Sequence, residues 1–192
     1  MTRATSRQAA LTEAADDALF EQMATGDLAP LGELFDRYHA SVRHFLLRLQ
    51  VDAGEVDDLV QETFLTASRA AGAFTPGAPG RPFLFGVAAQ LVRRRRRGFA
   101  RLRRMLESLG RHPSAPSTSP ADRTEADQRT AALYAAIAKL SDRHREVLIM
   151  AELGEMSGVE VASALGLPPG TVWRRLSEAR AELARRLKGM QS

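Results

Sequence analysis

The chain has 192 residues, of which 44 % are hydrophobic and 26 % charged, the proportions of a globular protein with room for one ordinary domain or two small ones. Cysteine is absent, which excludes disulfide staples, zinc ribbons and cysteine nucleophiles. The formal net charge is only +4, yet of 27 basic residues just Lys139 and Lys188 are lysine; the rest are arginine, which stays charged and grips phosphate as a fork.

The modest net charge hides a pattern. Residues 1–80 carry 6 basic and 12 acidic side chains, residues 81–111 carry 10 and 1, residues 112–170 carry 5 and 8, and residues 171–192 carry 6 and 2. Two basic blocks set apart by acidic ones imply two separate contact surfaces for a polyanion. The N-terminus lacks an apolar core segment, so no secretory signal is expected, and no apolar run is long enough to span a membrane.

Strand signals are poor and helical periodicity pervades the chain. Residues 1–13 read as a flexible tail. Leu19, Phe20 and Met23 mark a short helix ending near Gly26. Leu31, Leu34, Phe35, Tyr38, Val42, Phe45 and Leu49 trace one face of a long second helix, with Asp27 as its cap and Pro30 in its first turn. Asp52 with Glu55 predicts a capping box for a third helix, whose apolar face is Val56, Leu59, Val60, Thr63, Phe64 and Ala67. Three glycines and three prolines make residues 72–82 a loop. A fourth helix then buries Leu84, Val87, Ala88, Leu91 and Val92, runs into Arg93–Arg97, and ends at Gly110.

Residues 111–125 are rich in Pro and Ser and predict a linker between an N-terminal helical domain, 14–110, and a C-terminal one, 126–192. Four further helices are expected: about 122–140; one capped by Ser141 and stopping at Gly154; a short one opened by a Ser157–Glu160 capping box and closed by Gly166; and a last one starting near Gly170 or Thr171. The fold class is therefore all-α, two small domains joined by a linker.

Ser157–Leu187 has the parts of a helix-turn-helix: a short helix, a tight turn and a longer basic helix. Opposite its apolar stripe the last helix presents Trp173, Arg174, Ser177, Glu178 and Ala181. Arg174 can fork onto guanine, while Arg175, Arg180 and Arg185 suit phosphates. An ordinary helical hairpin with a solvated basic face would show much of the same pattern. Arg93–Arg97 covers every side of its helix, which predicts a segment that projects from the bundle or lies along a polyanion. Phe74, Phe83 and Phe85 stand beside it; aromatic rings next to a basic track hold unstacked bases, although each ring also suits a core. Glu55, Asp57, Asp58 and Glu62 form an acidic helical surface, either a solvated face or a dock for a basic partner. His39, His44, His112 and His144 are scattered, and no phosphate loop, nucleophile elbow or metal-ligand spacing emerges; neither an enzyme nor a cofactor or metal is expected.

With these pieces in hand the chain resembles bacterial sigma factors of the extracytoplasmic-function group. DDLVQETFLTA at Asp57–Ala67 resembles the family's helix that docks on the polymerase clamp. RPFLFGVAAQLVRRRRR at Arg81–Arg97 resembles its promoter-melting helix. LSDRHREVLIMAEL at Leu140–Leu153 and SGVEVASALGLPPGTVWRRLSEARAEL at Ser157–Leu183 resemble the region that reads the −35 element. The family usually has tryptophan where Phe83 stands, asparagine where Gln90 stands, and often a basic residue at Glu178.

The resemblance implies docking on the clamp and flap of core RNA polymerase, with Asp57, Asp58, Gln61, Glu62 and Phe64 on the clamp. It implies single-stranded −10 binding by Phe74, Arg81, Phe83, Phe85, Gln90, Arg93, Arg94, Arg95, Arg96 and Arg97. Double-stranded −35 reading falls to Thr171, Trp173, Arg174, Arg175, Ser177, Glu178 and Arg180. It further implies a cytoplasmic protein, an anti-sigma partner on which both domains collapse, and no sensor domain after the last helix. The competing class is a stand-alone helix-turn-helix regulator whose N-terminal bundle dimerises or senses. The acidic helix beside the basic one speaks against that reading, and the lack of a polar constellation speaks against a small helical enzyme.

Overall fold

A computed structural model describes residues 15–108 and 125–189, which are helical without a strand among them. Helix α1 (15–24) seats Leu19, Phe20 and Met23 in the core and stops before Gly26. Its second residue organises the whole N-terminal half. The Asp16 carboxylate is 1 % exposed and accepts hydrogen bonds from the Tyr38 hydroxyl at 2.6 Å, the Gly80 amide at 3.1 Å and the Arg37 guanidinium. Burial, then the bond to Asp16, pushes the Tyr38 phenol well above its ordinary range. Asp17 meanwhile accepts from the Gly77 amide, 2.9 Å from both carboxylate oxygens, so α1 pins the loop that precedes α4.

Helix α2 (Pro30–Arg48) begins with Pro30, where a missing N–H breaks no intrahelical bond. Asp27 is not the cap itself: it stands two residues before the N-cap Ala29 and accepts from the Ala29 amide at 2.9 Å. Leu34, Tyr38, Val42 and Phe45 are buried as their spacing requires, while Leu31 and Phe35 stay half-exposed. Helix α3 (Ala53–Arg69) buries all six residues of its expected face. Asp52 does cap it, through the Gly54 amide at 2.9 Å, but Glu55 does not complete a capping box: it faces Arg95 at 3.7 Å. After a 3-10 turn (Ala71–Ala73), α4 (Gly80–Ser108) starts two residues before Pro82, which sits harmlessly in its first turn. The expected stop at Gly110, the tail and nearly all of the expected linker lie outside the described residues.

In the C-terminal half, α5 (Glu125–Ala138) is followed by α6 (Asp142–Leu148), which runs on as a π turn (Ile149–Leu153) to Gly154. Ser141 occupies the N-cap position of α6 but makes no side-chain cap bond. Helix α7 (Gly158–Leu165) has the expected capping box in full: Ser157 Oγ accepts from the Glu160 amide at 3.2 Å, and Glu160 accepts from the Ser157 amide at 2.7 Å. Gly166 closes α7 with φ +63°, a left-handed conformation that favours glycine. Helix α8 (Pro169–Lys188) buries Val172, Leu176 and Ala179.

The two halves share one hydrophobic core rather than keeping separate ones. Each fully buried Leu, Val or Phe in it contributes roughly 1.5–3 kcal/mol by leaving water. Helix α4 lies against α7, and polar contacts rim the join. Arg48 donates to the Leu153 carbonyl at 2.6 Å, Arg93 meets Glu146 at 2.8 Å, and Arg96 reaches both Asp142 and the Leu49 carbonyl. The arginine run thus does not project freely. Arg93, Arg95 and Arg96 are half-buried, because carboxylates on α3 and α6 neutralise the sides that face the bundle.

Candidate nucleic-acid and partner interface

Three surfaces gather the residues singled out from the sequence. The first is the outer face of α3. Asp58, Gln61 and Glu62 line a groove of about 380 Å³ together with Arg69, Gln90 and Arg94. Leu65, 47 % exposed, adds an apolar spot to it. Asp57 is held by Arg43 at 3.0 Å and Glu62 lies 3.5 Å from Arg95, while Asp58 has no ion partner among the described residues. Phe64 is not on this surface. It is 2 % exposed and packs edge-on to Phe35 at 5.0 Å, so it anchors α3 instead of touching a partner.

The second surface surrounds the start of α4. Here the aromatic rings are mostly core. Phe74 stacks on Phe20 at 4.0 Å, and Phe83 sets its edge against both, at 5.1 and 5.5 Å. Phe85 is 3 % exposed and stacks on Phe45 at 4.3 Å, with the Arg81 guanidinium 5.8 Å over its ring. Phe85 therefore cannot receive a base without unpacking the bundle; Phe83 is half-exposed, and Phe74, 8 % exposed, shows its remaining surface to the cleft beside it. Phe83, Gln90 and Arg93 line a cleft of about 370 Å³ whose opposite wall is Ser163–Gly166 of α7 and its turn. In this arrangement the C-terminal half covers that face. Arg94 and Arg97 remain exposed.

The third surface is the helix-turn-helix. Trp173 lies off the apolar stripe, 54 % exposed, with its indole laid over Gly158 at the start of α7. A Cβ at residue 158 would fall 2.4 Å from that ring, so a side chain there would displace the indole from this position. Val159, 67 % exposed, stands next in sequence and extends the apolar surface. Arg174 is exposed and donates to Glu178 at 3.0 Å. Thr171 is half-buried and Ser177 exposed. Arg180 is paired with Glu152 on the π turn, its Nε at 2.7 Å, and Arg175 turns toward the cleft between the halves beside Arg97 and Arg143.

Three interior groups escaped the sequence reading. His144 is 8 % exposed and has a carboxylate at each ring nitrogen, Glu178 at 3.1 Å and Glu182 at 3.2 Å. Arg145 turns inward to the carbonyls of Ile137, Ala138 and Leu140; burial, then the charge of Arg96, lowers its pKa. Glu146 is 3 % exposed, and its Oε1 has no hydrogen-bond partner among the described residues. Burial pushes the Glu146 carboxyl up, and Arg93 offsets this only in part. The available signal is spacing: His144 shares one helical face with Leu148 and Ala151, which places its ring inward.

Among the described residues no group of carboxylates and imidazoles could hold a metal ion, and no helix is long and apolar enough to cross a membrane.

Residues 34–102 match the family model for sigma-70 region 2, and residues 130–183 match that for sigma-70 region 4. The chain is 31 % identical over 180 residues to the RNA polymerase sigma factor CnrH of Cupriavidus metallidurans, covering 90 % of this chain and 94 % of that protein. It is 32 % identical over 157 residues to the ECF RNA polymerase sigma factor SigL of Mycobacterium tuberculosis, covering 81 % and 88 %. Its fold matches the structure of CnrH in complex with the cytosolic domain of CnrY with a TM-score of 0.65 at 27 % identity, covering 91 % of this chain and 98 % of that one. The chain belongs to the sigma-70 family, as a sigma factor of the extracytoplasmic-function group.

Proposed function

We propose that the two matched regions divide the work of promoter recognition between residues 14–110 and 126–192, joined by a linker at 111–125. The observation that supports this best is the pairing, on one chain, of an exposed acidic ridge on α3 with an exposed reading face on α8. Asp58, Gln61 and Glu62 would meet the polymerase clamp, with Asp57 alongside. Arg174, Ser177, Trp173 and Glu178 would enter the −35 major groove, with Thr171, Arg175 and Arg180 near phosphates. On the −10 side we keep Phe83, Gln90 and the arginines Arg81 and Arg93–Arg97, and give Phe74 and Phe85 the role of supporting the site from within.

In the closed arrangement Gln90 and Arg93 face α7, so promoter opening requires the two halves to separate. The relative CnrH was solved with the cytosolic domain of CnrY; a protein inhibitor that holds this chain closed is the corresponding proposal. The work is done in the cytoplasm, and the chemistry of RNA synthesis belongs to the polymerase. A stand-alone regulator would not need the α3 ridge.

The test is a binding assay in two parts. The purified chain should bind core polymerase, and the resulting complex should enrich a restricted set of double-stranded fragments from randomised DNA. A chain that binds and selects such fragments equally well without core would support the stand-alone regulator instead.

A further inference from the structure

Arginines from both halves of the chain line one cleft at their join. Arg93, Arg96 and Arg97 come from α4, Arg143 from α6 and Arg175 from α8. The cleft measures about 500 Å³, the scale of a small-molecule site. Leu165 and Leu167, both half-buried, give it an apolar wall.

Two carboxylates share the lining, and both are already engaged. Glu146 accepts from Arg93 at 2.8 Å. Asp142 accepts from Arg96 and, at 3.1 Å, from Arg145. Arg97, Arg143 and Arg175 are left without an ion partner among the described residues. Like charges brought into one cleft from three helices repel, and protein walls strengthen the effect by excluding water. A neighbour registers the crowding: after burial, the charge of Arg96 is the main cause that lowers the Arg145 pKa. An anion seated in the cleft removes the repulsion. Guanidinium groups hold phosphate oxygens through paired N–H donors, so three unpaired arginines on separate helices match a compact ligand that carries several phosphate charges.

We propose that this cleft binds a small oligophosphate, a chain of linked phosphates that is either inorganic or carried on a nucleoside, and that the bound anion ties the two halves together. The phosphates lie against Arg97, Arg143 and Arg175, and a nucleobase, where there is one, against Leu165 and Leu167. Arg97 and Arg175 also belong to the surfaces proposed above for promoter phosphates, so a chain closed on the anion withholds them from DNA. That consequence rests on the promoter reading; the binding itself does not. Arg143 has no part in the promoter reading and so isolates the new site.

The test is calorimetric titration of the purified full chain with sodium tripolyphosphate at about 0.15 M salt, where exposed charges more than about 8 Å apart are largely screened. One saturable site is expected. Arg97→Ala, Arg143→Ala and Arg175→Ala should each weaken it about tenfold, the loss of one hydrogen-bonded charge. Lys139→Ala removes an exposed cation outside the cleft and should change the affinity by less than about twofold. Adenosine triphosphate in place of tripolyphosphate separates the two sources: tighter binding assigns Leu165 and Leu167 to a base, and equal or weaker binding assigns the site to the inorganic chain. No saturable binding, or equal losses in Lys139→Ala and Arg143→Ala, overturns the proposal. An effect confined to the arginines of one half overturns the bridging. A short DNA duplex that loses affinity in Arg143→Ala while tripolyphosphate does not makes the cleft a nucleic-acid surface, and the proposal falls. None of these titrations contains polymerase, so their failure leaves the promoter reading standing, and failure of promoter selection leaves the titrations unchanged. The wild-type titration decides whether the site exists even where a substituted chain folds poorly.

Discussion

Gly86 on α4 lies directly against the backbone of Ala164 on α7: a Cβ built on Gly86 would stand 2.3 Å from the Ala164 carbonyl oxygen. Backbone, unlike a long side chain, cannot swing aside. Gly86→Ala favours helix α4 by about 1 kcal/mol in isolation but should force α7 away. We expect unchanged helix content by circular dichroism and a larger radius of gyration by X-ray scattering. An unchanged radius would show that the join tolerates the methyl group.

The buried Glu146 makes the same join pH-dependent. Its folded-state pKa is raised by burial, so between the unfolded and folded values the folded chain binds more protons. Its contribution is then most favourable at acid pH and is lost as pH rises through the folded pKa. Glu146→Gln removes that titration. Thermal melts from about pH 4 to pH 8 should show wild type losing stability relative to the variant as pH rises; parallel profiles would contradict this.

Asp16 should be the most sensitive polar residue of the N-terminal half. Asp16→Ala strands the Tyr38 hydroxyl and the Gly80 amide in the interior, and leaves Arg37 with Glu33 alone. A loss of about 2–4 kcal/mol is expected in urea unfolding. A loss below about 0.5 kcal/mol would mean that water replaces the carboxylate, and that this node is not structural.

The two proposed interfaces should separate by mutation. Arg174→Ala should weaken −35-dependent DNA selection by about 1–3 kcal/mol and leave core binding intact. Reversing charge at Asp58 and Glu62 should weaken core binding first, because that exposed ridge takes no part in the helix-turn-helix. Equal loss of both activities in either variant would merge the two surfaces.

How far the sequence carried the reading depends on how local each determinant is. The faces of α2 and α3, the Ser157–Glu160 capping box and the Gly166 turn were legible because each is set by neighbours within a turn or two. The pairing of Arg93 with Glu146 was not, since 53 residues separate them and a helix charged all round looks solvated until carboxylates arrive from elsewhere. The same holds for Asp16, whose partners lie 22 and 64 residues on. The burial of Phe85 is not legible for a related reason: a ring beside a basic track and a ring in a core look alike in sequence, and only Phe45 across the bundle decides it. On the exposed side of α8, helical period alone puts Trp173 and Arg174 outside the apolar stripe, but the tie from Glu178 to His144 depends on a separate helix.

The central claim is that this chain gives polymerase its promoter address. Purified chain and core polymerase, incubated with a genomic fragment library and nucleotides, should yield runoff transcripts starting at a small set of discrete sites that neither component produces alone. An active core that yields no site-specific transcript with the chain would contradict the account.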